Sequence, residues 1–147
     1  MICLNLPPVS FRYKDLNGKK AVFDILRKKY IILTPEEWVR QHFIHFLINH
    51  CRYPKALIKI ESGLRYNSLN GRSDIIVFDR SGQVFMLIEC KSSEVSLSDK
   101  VFEQASRYNI HYKARYLVIT NGLQHFCCRI IHEIGSYEFM EQLPVFE

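Results

Sequence analysis

Two apolar runs separated by a short polar break constrain the centre of this chain more than any other feature. Residues 73–79 (Ser-Asp-Ile-Ile-Val-Phe-Asp) and 83–91 (Gln-Val-Phe-Met-Leu-Ile-Glu-Cys-Lys) are rich in Ile, Val, Leu and Phe, and Arg80-Ser81-Gly82 lies between them. Apolar runs around such a turn signal predict a β-hairpin. A two-residue turn at Ser81-Gly82 would set Arg80 opposite Gln83, and every opposed pair would then have residue numbers summing to 163. Asp74 would face Glu89. Side chains alternate across a strand, so Asp74, Ile76 and Phe78 would share a face with Phe85, Leu87, Glu89 and Lys91, while Cys90 points the other way.

Directly opposed residues on neighbouring strands have Cβ atoms roughly 4.5–5.5 Å apart, and two like charges at that separation destabilise the sheet. A positive group is therefore expected between Asp74 and Glu89. A hard dication such as Mg²⁺, with Mn²⁺ as a substitute, takes oxygen ligands from one or two carboxylates while keeping several waters, and Lys91 would stand at the edge of such a site. The competing reading is a pair of solvated strand-end charges, with Lys91 neutralising Glu89 and Arg72 neutralising Asp74. The metal reading is preferred because the charges interrupt an apolar face, where ionised groups are rarely buried unpaired.

A chain of 147 residues is long enough to bury one core without disulfides, and is expected to be a single domain over residues 1–147. With 48% hydrophobic and 24% charged residues its composition is globular and argues against disorder. No apolar run is long enough to span a membrane, and Met-Ile-Cys-Leu-Asn-Leu-Pro-Pro lacks the features of a signal peptide, so a cytoplasmic protein is expected. Cys3, Cys51, Cys90, Cys127 and Cys128 form an odd set without a Cys-x-x-Cys motif, which fits free thiols in a reducing compartment. The net charge of +5 favours a polyanionic partner.

Along the chain, residues 21–33 read as one or two short strands around a basic centre, an expected edge hairpin over about 19–33. Thr34-Pro35-Glu36-Glu37 is a helix start: a Thr N-cap, Pro at the first helical position and acids where the helix dipole favours them. This helix should run to about Cys51 and pack Trp38, Val39, Phe43, Phe46 and Leu47 on a sheet. A strand at 57–60 and a Gly/Asn loop over 62–72 precede the hairpin. A second helix is expected from Asp99 to about Tyr112, capped by Ser96 or Ser98, with Val101, Ala105, Tyr108 and Tyr112 as its buried stripe. Lys100, Gln104, Arg107 and His111 form a polar stripe that is either solvated or beside a phosphate path. Arg115–Thr120 is a further strand, Asn121-Gly122 a turn, 123–131 the antiparallel return, and Tyr137–Met140 a last strand. The order implies an α/β fold with a mixed sheet covered by helices, joined after the hairpin by a right-handed parallel crossover.

Asp74, then Glu89-Cys90-Lys91 after 14 intervening residues, resembles the PD-(D/E)XK nuclease motif. Pro35-Glu36-Glu37-Trp38-Val39-Arg40-Gln41, Arg72-Ser73-Asp74-Ile75-Ile76-Val77, Leu87-Ile88-Glu89-Cys90-Lys91, Phe102-Glu103-Gln104-Ala105-Ser106-Arg107-Tyr108 and Thr120-Asn121-Gly122 together resemble the N-terminal domain of the type I restriction enzyme R subunit. The likeness covers roughly residues 30–145. It implies a restriction-endonuclease-like core of α-β-β-β-α-β order and a Mg²⁺-dependent nuclease acting on DNA. On that resemblance Asp74 and Glu89 are metal ligands, with the Cys90 main-chain carbonyl a third. Lys91 orients or deprotonates the attacking water and offsets charge on the scissile phosphate. Glu37 adds an acidic group from the first helix, with Glu36 not separable from it, and Gln104 lines the site from the second helix. Ser73 stands where the motif name has Pro.

The sequence has no Gly-x-x-x-x-Gly-Lys-[Ser/Thr] phosphate loop, so no nucleoside triphosphate is expected to bind and no motor lies within these residues. No helix-turn-helix or zinc-finger pattern is evident, so specificity is expected from DNA structure, a second copy or a partner protein. Arg72, Lys100 and Arg107, with Arg65 and Lys59, are candidate phosphate contacts. Whether the substrate is duplex, single-stranded or branched DNA, or RNA, stays open, as does one metal ion against two. The alternative function is a nuclease-fold module that binds nucleic acid or protein without cutting. A zinc site from His42, His45, His50 and Cys51 is disfavoured, because no second cluster closes a tetrahedron.

Overall fold

The computed structural model describes residues 1–62 and 73–147; of the side chains within them, those of residues 61, 62, 73, 74 and 108–111 lie outside the description. The expected loop over 62–72 therefore falls almost wholly outside the described residues. The described residues form two sheets. β1 (Tyr13–Leu16), β2 (Lys19–Asp24) and β3 (Lys29–Ile32) form an antiparallel three-stranded sheet. The second is six-stranded and mixed, in the order β4 (Ile58–Ser62), β5 (Ser73–Phe78), β6 (Val84–Cys90), β7 (Tyr116–Thr120), β8 (His125–Ile131) and β9 (Ser136–Met140). The fold is α/β, with helices α1 (Pro35–Asn49) and α2 (Asp99–Tyr112).

Local chemistry places both helices. The Thr34 hydroxyl accepts from the Glu37 amide at 3.0 Å and Pro35 opens α1, which satisfies one of the amides a helix start leaves without an internal partner. Ser98 plays the same part for α2, accepting from the Val101 amide at 3.4 Å. α1 covers one face of the six-stranded sheet. Its Val39, Phe43, Ile44 and Leu47 pack with Ile75, Val77, Met86, Ile88 and Val118, and each fully buried side chain of this size contributes about 1.5–3 kcal/mol. α2 covers the other face, where Ala105 packs with Ile76, Leu87, Leu117, Ile119 and Cys128. Trp38 and Phe46 are only partly buried. β6 and β7 are parallel and joined through α2; every other neighbouring pair is antiparallel.

The N-terminal arm differs from the expected edge hairpin. β2 and β3 do pair, but with β1 they make a sheet of their own, which among the described residues is hydrogen-bonded to neither edge of the larger one. Alternation within it was hidden because Val22 and Asp24 are both buried on the side towards α1, and a buried Asp breaks the apolar/polar pattern.

The central hairpin also turns differently. Asp79, not Arg80, lies opposite Gln83, its amide donating to the Gln83 carbonyl at 2.8 Å. The Asp79 carboxylate accepts from the Ser81 amide and hydroxyl and from the Gln83 amide, and Gly82 takes φ +89°. This is a three-residue turn closed by a left-handed glycine. Phe78 faces Val84, and the ladder shifts before Val77 faces Met86. Phe85 is the extra residue of that bulge, so it packs on the α1 side with Met86 rather than on the face of Leu87. Beyond the bulge, Ile75 faces Ile88 and Ile76 faces Leu87, pairs whose numbers sum to 163. The other turn is shifted by one residue. Asn121 pairs with Gln124 around Gly122 and Leu123, and Gly122 has φ +86°. A Cβ there would lie 2.7 Å from Leu4 Cδ2, so the packing of the N-terminal arm also requires glycine.

Candidate active site

The site is built on the last residues of β6. Glu89 shares the face of Leu87 by alternation, whereas Cys90 is buried in the core under α1. Glu89 and Lys91 are 3% and 6% exposed, and the Lys91 Nζ stands 3.4 Å from Glu89 Oε2. Among the described residues Glu89 Oε2 has no hydrogen-bond donor. A buried carboxylate oxygen held only by a non-hydrogen-bonded ammonium is a costly group to desolvate, and such an oxygen matches the hard-oxygen preference of a dication.

The strand end is held from the neighbouring turn. The Lys91 amide donates to the Thr120 carbonyl at 2.8 Å. Asn121 Nδ2 donates to the Val95 carbonyl at 2.8 Å, while Asn121 Oδ1 accepts from the Leu123 and Gln124 amides. One side chain thus ties the segment after Lys91 to the β7–β8 turn. In the sequence Thr120-Asn121-Gly122 signals a turn and belongs to the family resemblance; the tether to Val95 shows only in the fold. Gln104 is half-buried on α2, one residue before the buried Ala105, and Lys100 and Arg107 are exposed.

Asp74 lies on β5, its backbone opposite Glu61. The ladder between β5 and β6 ends at Ile75 opposite Ile88, one residue short of Asp74 and Glu89; the Asp74 side chain is outside the description, as is the whole of Arg72. Among the described residues no three His, Cys, Asp or Glu side chains cluster as metal ligands.

Glu37 sits in a different constellation. Its two oxygens accept from Arg27 Nη2 at 2.9 Å, Arg40 Nη1 at 2.9 Å and Gln41 Nε2 at 3.0 Å, and Glu36 accepts from Arg40 Nη2 at 2.8 Å. Asp24, fully buried, accepts from Arg27 Nε and Gln41 Nε2, each at 2.8 Å, and from the Leu26 and Arg27 amides. Burial works against the Asp24 charge, but these donors outweigh it and hold the carboxyl below its ordinary value. Burial likewise opposes the Arg40 charge, and the Cys90 thiol, Glu37 and Glu36 outweigh it, so the guanidinium is held more firmly protonated. Cys90, at the end of β6, packs in the core that α1 covers. The network joins the three-stranded sheet to α1 beside the site. Its sequence signal was the spacing of Glu37 with Arg40 and Gln41, three and four residues on, which sets the acid one helical turn from both donors.

His42 and His45 are packing residues here. His42 lies against Trp38 and Phe11, His45 against Phe11, and burial pushes both imidazoles below their ordinary value. All five cysteines are free thiols. Cys127 and Cys128 face opposite cores, and no helix among the described residues is long and apolar enough to cross a membrane.

Residues 35–144 match the family described as type I restriction enzyme R protein N terminus (HSDR_N). The chain belongs to this family. Neither the curated proteins nor the solved structures gave a match. The span of this R protein N-terminus match starts at the first residue of α1 and takes in the six-stranded sheet, both helices and the Glu89–Lys91 pair, while the three-stranded sheet lies before it.

Proposed function

We propose that this R protein N-terminus domain is a Mg²⁺-dependent deoxyribonuclease with a restriction-endonuclease-like, PD-(D/E)XK site. The observation that carries the reading is the buried Glu89–Lys91 pair, with an oxygen lacking a hydrogen-bond donor among the described residues, at the end of β6 in a member of a restriction-enzyme family. Glu89, Asp74 and the Cys90 main-chain carbonyl are the groups that would hold the ion; Mn²⁺ suits the same oxygens. When bound, the ion supplies an acidified water and a positive charge against the phosphate oxygens. Lys91 donates to the attacking water or to a non-bridging phosphate oxygen, and its charge offsets the negative charge that grows there. Gln104 positions Lys91 or the phosphate from α2. Water oxygen bonds to phosphorus, the opposite P–O bond breaks, and the leaving oxygen takes up a proton. Glu37 is a poor candidate for the same ion while Arg27 and Arg40 hold both its oxygens.

That engagement of Glu37 also favours the second reading, a module that binds without cutting. The deciding experiment incubates the protein with linear, circular and branched DNA in Mg²⁺, in Mn²⁺ and in chelator. Metal-dependent cutting that disappears in Glu89→Gln, Asp74→Ala and Lys91→Ala is the expected result. Cutting that survives those substitutions refutes the site, and tight binding without cutting in either metal supports the second reading.

A further inference from the structure

We propose that the three-stranded sheet β1–β3 is a docking surface for the phosphate backbone of duplex DNA. The net charge of the chain resides there. Residues 1–34 hold seven of the 20 Lys and Arg but two of the 15 Asp and Glu, so the remaining 113 residues carry equal numbers of each sign. One of those two acids is Asp24, already paired with Arg27. Among the described residues, Arg12, Lys14, Lys19, Lys20, Lys28 and Lys29 are all exposed and none is ion-paired, whereas Arg27, Arg40, Lys91, Arg115 and Arg129 have carboxylate partners. Concentrated like charge destabilises a small sheet by self-repulsion and raises the local concentration of a polyanion.

Strand alternation organises the charges. Val22 and Asp24 point towards α1, so the opposite face carries Arg12, Lys14 and Lys19 beside Phe23 and Tyr30. The Arg12 guanidinium lies 4.1 Å from the centre of the Phe23 ring and the Lys14 ammonium 5.3 Å from that of Tyr30. Phe23 and Tyr30 meet edge-on with centroids 5.4 Å apart. The ring faces are thus covered by the chain's own cations, which leaves the charges fixed and the rings closed to base stacking. Such a face contacts phosphates, not unstacked bases, and this argues for a duplex.

The same charge continues towards the candidate site. A groove of about 620 Å³ between the β2–β3 turn and the start of β4 is lined by Arg27, Lys28, Lys55 and Lys59, with no acidic residue in its lining among the described residues. β4 is the neighbour of β5, which carries Asp74. The proposal rests on DNA being the substrate of the Glu89–Lys91 site, but its binding test is independent of cutting.

The test measures anisotropy of a labelled 20-base-pair duplex in chelator, over a series of salt concentrations, with wild-type protein and three variants: Arg12→Ala/Lys14→Ala/Lys19→Ala, Lys28→Ala/Lys55→Ala/Lys59→Ala, and Lys100→Ala/Arg107→Ala. The first two should bind about ten-fold more weakly or worse, with the slope of log affinity against log salt reduced by about 0.9 for each phosphate contact removed. The α2 variant, which removes two cations expected beside the phosphate path, should weaken binding less than either of the first two. The Arg12→Lys/Lys14→Arg/Lys19→Arg variant should retain affinity and slope, which separates charge from folding. Unchanged binding in both sheet and groove variants, or loss confined to the α2 variant, overturns the proposal. Sheet-dependent binding to phosphatidylserine vesicles with sheet-independent duplex binding also overturns it. Sheet-dependent duplex binding without cutting in Mg²⁺ leaves docking intact and removes the nuclease reading; cutting unaffected by the sheet variants does the reverse.

Discussion

Glu89 and Lys91 offer a direct measurement of whether the end of β6 is a buried ionic site or a solvated strand end. At 3.4 Å, with side chains 3% and 7% exposed, the pair has a Coulomb attraction of about 5 kcal/mol at an effective dielectric of about 20. Most of that offsets desolvation, so the informative quantity is what happens when one partner is removed. Glu89→Gln leaves a buried ammonium and Lys91→Met a buried carboxylate, each expected to cost about 3–5 kcal/mol. The double variant removes both charges at similar volume and should cost no more than either single change, which gives a coupling of at least about 3–5 kcal/mol. Urea unfolding at pH 7.5 reads this as a midpoint shift; with a slope near 2 kcal/mol per molar, a single variant moves the midpoint by about 1.5–2.5 M. Single changes below about 0.5 kcal/mol that add in the double variant would refute the reasoning, because that is the behaviour of an exposed pair.

The latch between the three-stranded sheet and α1 makes a second prediction. Asp24→Asn turns an amide towards Arg27 Nε and Gln41 Nε2, or towards two backbone amides, and should lose about 3 kcal/mol, a fall of roughly 6–12 °C in melting temperature for a chain of this size; Asp15→Asn, at an exposed position of the same sheet, should change little, and equal losses in the two would sink the account. Stability should also form a plateau in pH. His42 and His45 are held neutral below their ordinary value of 6.5, so the unfolded chain takes up protons first and stability falls as pH drops below about 6.5, and again below about 4 as Asp24 loses its charge. Burial pushes the Cys128 thiol up to about 11 and the Cys127 thiol up to about 12, so the unfolded chain ionises first and stability falls above about pH 9. Urea midpoints at pH 5.5, 7.5 and 10 test the shape; a midpoint still rising at pH 10 contradicts it.

Much of the architecture was written in local pattern. Thr34-Pro35-Glu36-Glu37 marked the start of α1, and the apolar repeat marked α2 from Asp99 to Tyr112, because capping and helical spacing are properties of neighbouring residues. The register that sets Ile75 against Ile88 also followed from the sequence, although the turn was wrong and the bulge at Phe85 restored it. Turn type depends on which backbone groups Asp79 can capture, and a bulge depends on which core will accept Phe85; neither is a property of the strand pattern alone.

By itself the sequence determined that Glu89 and Lys91 would stand on the same face of a strand, since alternation of period two allows nothing else. Burial of that pair was decided only by tertiary structure, because it depends on what packs around the end of β6, where the Lys91 amide bonds to Thr120 of β7 and Asn121 holds the segment that follows. The fate of Glu37 was decided there too. Its partners Arg27, Arg40 and Gln41 come from a separate sheet and from the next turn of its own helix, and only folding brings a guanidinium ten residues away in sequence to 2.9 Å from its carboxylate. The sequence specified which residues could carry charge inside the protein; packing decided which charges would neutralise each other and left Glu89 with an oxygen that has no donor among the described residues.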